Sequence, residues 1–336
     1  MRGSRVRVTQ AAPLKSPRGY PRLTKEDASR GYYSSEDEGE REFASFIAFD
    51  FKNKVVKEIS CAPECLGNYF TESELPFETT PAFFRADVLL KYKSDSEKYK
   101  LENRSISCRG AWYLKGYDIN EAGQVHAYLC DLQMLPYEEQ LYWKSFNERP
   151  KASISKRAFT SDFEGDFSIE YDSLESLKDS LLNLHRTGTP WWSLRDDNSL
   201  DRLHYPVTSS ADEFANEILS LDKAMNEGFN EKCLRNKALA LGQTPKLTDR
   251  SLLLVASCLQ GLGFDEDHAR EIVAPLRRVA HLRNKLKGHA VGTEAAALRA
   301  QMIKDHGTFK RSFAALCAEC DESLGKITEA FSATSF

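Results

Sequence analysis

Apolar and polar residues follow three different rhythms along the chain. Residues 1–40 have no apolar period: eight basic residues up to Arg30 face only Glu26 and Asp27, and the acidic run Glu36-Asp37-Glu38-Gly39-Glu40 follows. Such a segment buries too little surface to offset its ordering entropy, so a disordered tail is expected. From about 41 to 170 the pattern is strand-rich and aromatic. Phe46 to Phe51 and Val55 to Ile59, separated by Lys52-Asn53-Lys54, predict a β-hairpin. Ala111 to Ile119 and Val125 to Leu129 predict a second one through Asn120-Glu121-Ala122-Gly123, where Asn and Gly tolerate the positive φ of tight turns. Pro136 leads into a predicted helix over 137–143. Leu174, Leu177, Leu181 and Leu184 then recur at helical spacing.

The Gly188-Thr189-Pro190 break and the polar residues after it place a domain boundary within 188–208. Beyond Ser209 the rhythm is helical. Ser210 with Glu213 three residues later forms a capping box, and Phe214, Ile218, Leu221 and Met225 mark one face. Further helical periods cover about 231–241, 248–261, 265–287, 293–305 and 308–331, with glycines between them. The expected fold is therefore α+β: a tail over 1–40, a mixed strand-rich domain over 41–208 and an all-α bundle over 209–336.

Composition sharpens this picture only in places. A length of 336 residues suits two domains, and 41% hydrophobic with 11% aromatic residues supplies real cores, excluding a wholly disordered chain. No run of about 18 apolar residues occurs, so no transmembrane helix and no membrane partner is expected. The polar, basic N-terminus has no apolar stretch behind it, and the eight cysteines are scattered; both predict a reducing, cytoplasmic location. The close pairs Cys61/Cys65 and Cys317/Cys320 lack partner pairs at zinc-site spacing and are expected to be thiols filling the core, with no metal and no cofactor. There is no phosphate-binding loop, dinucleotide fingerprint or serine-hydrolase elbow. Asp118, Asp131, Asp162, Glu164 and Asp166 would need to converge to bind Mg²⁺, and a solvated arrangement is preferred. Trp191-Trp192 is expected to pack a joint between domains rather than to stack on bases.

The net charge of −4 argues against wholesale coating by nucleic acid, yet it conceals one basic segment. From His268 to His289, Arg270, Arg277, Arg278, Arg283, Lys285 and Lys287 stand against Glu271 alone, which suits a phosphate-bearing partner. At about 100° per residue, Ile272, Leu276, Val279, Leu282 and Leu286 form one stripe, and Arg283 falls about 20° from Ile272, inside it. A guanidinium there is costly unless it is paired or faces a cleft or interface. Arg277, Arg278 and Lys285 project away from the stripe. Gly288 is a natural helix end, from which His289 could fold back toward Arg283, with Asn284 beside it. An Arg, an amide and a His at a helix end fit metal-free RNA cleavage: the His moves the 2′-hydroxyl proton and the Arg stabilises the crowded phosphate. Pro275 implies that this helix either kinks or starts there.

Arg283-Asn284-Lys285-Leu286-Lys287-Gly288-His289 resembles the motif of the HEPN superfamily, an Arg followed by a polar residue and, four to six positions after the Arg, a His. The resemblance covers about 210–330. It implies a small helical bundle with a metal-independent ribonuclease site in which Arg283 and His289 are catalytic and Asn284 assists, while Arg277, Arg278, Lys285 and Lys287 bind RNA. It also implies a homodimer, with the apolar stripe as its interface. Cys108 to Leu114 and Tyr142 to Glu148 resemble segments of uncharacterised bacterial proteins, which bring no activity with them. Bacterial members of the superfamily often serve as toxins or phage-defence effectors with an attached sensing domain, which implies a trigger or inhibitor protein. The alternative is a non-catalytic module that binds nucleotide, RNA or protein through the same basic face.

Overall fold

The first hairpin forms as its alternation requires. In the computed structural model, which describes residues 41–68, 70–166, 171–196, 198–287 and 293–332, β1 (Ser45–Asp50) pairs antiparallel with β2 (Val55–Ser60). Phe46, Ala48 and Asp50 of β1 point inward. The buried Asp50 carboxylate fixes the turn, accepting the backbone N–H groups of Lys52 and Asn53 at 3.0 and 3.1 Å and pairing with Lys57 at 2.9 Å.

The strand-rich half continues through β3 (Pro81–Phe84), α1 (Leu90–Ser94), β4 (Lys100–Leu101), β5 (Ile106–Cys108), β6 (Trp112–Leu114), β7 (Tyr117–Ile119) and β8 (Val125–Tyr128). The helices α2 (Leu129–Leu132) and α3 (Tyr137–Phe146), strand β9 (Asn147–Glu148) and α4 (Lys156–Asp162) complete it. One sheet has the order β2-β1-β3-β8-β7 with β9 added beside β3, and β4-β5-β6 form a second. The second predicted hairpin is realised only from β7 to β8, because its first strand breaks at Lys115-Gly116 and its front half, β6, joins the other sheet. The crossing is tight: a Cβ on Gly116 would stand 2.9 Å from Asp131 Oδ2. Tyr92 and Trp143 centre this core, with Trp143 Nε1 donating to Tyr92 Oη, which itself donates to Glu139, each at 2.8 Å.

The helical half is α5 (Ser173–Thr187), α6 (Ala211–Met225), α7 (Glu231–Ala240), α8 (Ser251–Gly261), α9 (Glu266–Lys287), α10 (Thr293–His306) and α11 (Phe309–Ser332). Its apolar core starts earlier in the chain than the pattern break suggests, because Leu174, Leu177, Leu181 and Leu184 of α5 are buried in it, along with Trp191 and Trp192. Trp192 Nε1 donates to Met225 O at 2.8 Å, so the tryptophan pair packs this core. The N-terminus of α6 is capped by Ser210, whose hydroxyl accepts Glu213 N–H. The Glu213 carboxylate takes the N–H groups of Val207 and Thr208 instead of completing the box. Cys317 and Cys320 are buried in α11, and burial raises both thiol pKa values. Helix α9 runs through Pro275 rather than starting there.

The described residues from Phe43 onward belong to one compact unit. The expected tail over 1–40 lies outside the described residues. Within that unit, Lys93 of the strand-rich half is buried against α6, where its ammonium pairs with Glu213 and, at 3.0 Å, with Glu217. Among the described residues no helix is long and apolar enough to cross a membrane.

Candidate functional site

The unusual arginine on the apolar stripe finds its partner on α6. The inward face of α6 is set by Phe214, Ile218, Leu221 and Met225, all buried, and Asp222 lies about 80° from Phe214, at the edge of that face. Helix α9 packs against α6, its Leu276, Val279 and Leu282 are buried in the shared core, and Arg283 stands opposite Asp222. Arg283 Nε donates to Asp222 Oδ2 at 2.9 Å; the aspartate side chain is 2% exposed and the arginine 40%. Asn226, one turn after Asp222, donates Nδ2 to Asp222 Oδ1 at 2.8 Å and to Leu276 O at 3.0 Å. Arg283 Nη1 donates to Asn284 Oδ1 at 3.1 Å. An arginine has five N–H donors, so three have no partner among the described residues.

Arg283 lines an open cleft of about 800 Å³, walled by the C-terminal part of α9, the turn after α6 and the start of α8. Arg195, Arg250, Arg277, Arg283 and Asn284 line it together with Asp222. Sequence reasoning singled out Arg277, Arg283 and Asn284, which the fold does bring together. It missed Asp222, Asn226, Arg195 and Arg250. The available signal for Asp222 was an acid at the rim of one apolar stripe with an arginine sitting inside another.

Other expectations change. Arg278 pairs with Glu319 of α11, and Lys285 pairs with Glu294 of α10 at 2.7 Å, so neither joins the cleft. Lys287 is exposed at the last described residue of α9. His289 lies outside the described residues. The stripe of Ile272, Leu276, Val279 and Leu282 is buried within this chain's own helical core, so it does not serve as a dimer interface.

The competing acids do not gather. Burial pushes Asp118 up, but Arg157 Nε at 2.9 Å and the Ser155 hydroxyl outweigh this and hold it at about 2. Asp162 is tied to Arg104 at 2.8 Å and accepts from Tyr128 at 3.0 Å. Burial pushes Asp131 up to about 6. Among the described residues no group of three or more His, Cys, Asp or Glu side chains is placed to hold a metal.

No known family, curated protein or solved structure matches the chain.

Proposed function

We propose that residues 210–330 form a HEPN-like, metal-independent endoribonuclease domain of toxin or phage-defence type, with Arg283 in the cleft as the group that stabilises the scissile phosphate. The observation that supports this most is the Arg283–Asp222 pair. A buried carboxylate fixes the guanidinium at the cleft wall while three of its N–H donors have no partner among the described residues. Fixed donors aimed at developing charge need no reorganisation during reaction, and losing one such donor lowers the rate by about 10²–10³-fold.

In this chemistry the 2′-hydroxyl attacks the adjacent phosphorus, the 2′-O–P bond forms and the P–O5′ bond breaks. The hydroxyl proton passes to a base and a proton returns to the leaving 5′-oxygen. Products are a 2′,3′-cyclic phosphate and a 5′-hydroxyl. Arg283 donates its remaining N–H groups to the non-bridging oxygens as charge builds on them, and Asn284, bonded to it, orients the guanidinium. His289, two residues beyond the described end of α9, is the proposed proton carrier. A homodimer, a cytoplasmic location, a sensing role for the strand-rich half and a trigger or inhibitor protein belong to the same proposal.

The second reading is a module that binds RNA or nucleotide without cutting it. It is favoured by the neutralisation of Arg283 by Asp222, which leaves donors but little net charge. Incubating RNA with the full chain in excess EDTA separates the two. The ribonuclease reading expects cleavage by the wild type and its loss in folded Arg283→Ala and His289→Ala; binding without products favours the module.

A further inference from the structure

We propose that the cleft takes single-stranded RNA and that Arg277, Arg250 and Arg195 hold phosphates flanking the one at Arg283. The inference rests on the ribonuclease reading only for which phosphate reacts.

The four cleft arginines are held in three distinct ways. Arg283 is fixed by Asp222 at hydrogen-bonding distance. Arg250 and Arg195 stand 3.6 and 3.7 Å from Glu231 and Glu227, beyond hydrogen-bonding distance, and their side chains are 85% and 67% exposed. Such pairs are weak and exchange readily for a better anion. Arg277 is only partly exposed in the cleft wall and makes no ion pair or hydrogen bond among the described residues. A guanidinium at a cleft wall with no acceptor among the described residues can take an anionic oxygen from outside, for which its planar fork is suited.

Spacing and shape select the ligand. Arg277 precedes Arg283 by six residues, about 9 Å along the helix axis, so the two serve different phosphates of one strand. The cleft, about 800 Å³ and open to solvent, has room for a ligand of a few nucleotides. An A-form duplex keeps its bases stacked inward, whereas a single strand can lay splayed bases into the cleft. Leu252 and the half-exposed Leu253, at the start of α8, give those bases apolar surface. Glu227 and Glu231 then oppose binding, since each must release its arginine first.

The test is fluorescence anisotropy of the full chain with a short labelled 2′-O-methyl oligouridylate, which lacks the attacking hydroxyl and stays intact. Arg277→Gln should weaken binding by roughly tenfold and lower the slope of log affinity against log salt by about 0.7. Arg277→Lys should keep that slope. Glu231→Gln, which frees Arg250, should tighten binding. Unchanged affinity and slope in Arg277→Gln, or equal affinity for duplex RNA, overturns the proposal. Because the probe cannot be cut, Arg277-dependent binding by a protein without nuclease activity upholds this inference while sinking the ribonuclease reading. Cleavage with Arg277-independent binding does the reverse.

Discussion

Arg283 Nε and Asp222 Oδ2 lie 2.9 Å apart across the α6–α9 contact, one side chain half-exposed at a cleft and the other buried beneath it. The pair has two roles at once: it joins the helices and it aims the guanidinium. Removing the arginine leaves a buried carboxylate with Asn226 as its remaining side-chain donor. Arg283→Met should therefore destabilise the fold by about 2 kcal/mol in urea unfolding. Asp222→Leu combined with Arg283→Met should lose less than the two single changes summed, with a coupling of about 1 kcal/mol. Strict additivity would mean that the pair contributes nothing.

His204 couples stability to pH. It is 8% exposed, and its Nε2 has no hydrogen-bond partner among the described residues. Burial, with Lys178 and Lys93 nearby, lowers its pKa to about 3. The unfolded imidazole takes up its proton near pH 6.5 and the folded one only far below. Its contribution is therefore complete above pH 6.5 and is lost as pH falls toward 3. Between pH 6.5 and 5 the loss from this group is about 2 kcal/mol. Urea midpoints across that range should fall less steeply in His204→Gln than in the wild type. Parallel curves would show that His204 does not titrate this way.

Gly228 forms part of the turn between α6 and α7 beside the cleft. A Cβ there would meet Trp192 Nε1 at 2.5 Å and Ser193 O at 2.7 Å. The indole cannot yield without breaking its bond to Met225 O. Gly228→Ala should cost about 2 kcal/mol and blue-shift or broaden the tryptophan emission as the indole is displaced. A variant as stable as the wild type would show that this turn relaxes freely.

The helical half was legible because its apolar periods are long and separated by glycines. The predicted periods 231–241, 265–287, 293–305 and 308–331 meet α7, α9, α10 and α11 within about two residues. The strand-rich half was less legible. Periodicity cannot distinguish one strand from two that continue into different sheets, which is what happens at Gly116. The place of α5 in the helical core depends on contacts with α11, far along the chain. At the site, spacing identified Arg283 as out of place and gave two remedies, a partner or a cleft; the structure has both. It could not name Asp222, since that pairing joins residues 61 positions apart. It also counted Arg278 and Lys285 toward the basic face, although Glu319 and Glu294 neutralise them.

The chemistry at Arg283 is tested most directly by the ends of the RNA products, read by mass spectrometry after digestion with the full chain in excess EDTA. Wild-type protein should leave 2′,3′-cyclic phosphates and 5′-hydroxyls, and folded Arg283→Ala should lower their yield by about 10²-fold or more. Products with 3′-hydroxyls and 5′-phosphates, or undiminished cleavage by Arg283→Ala, would contradict the account.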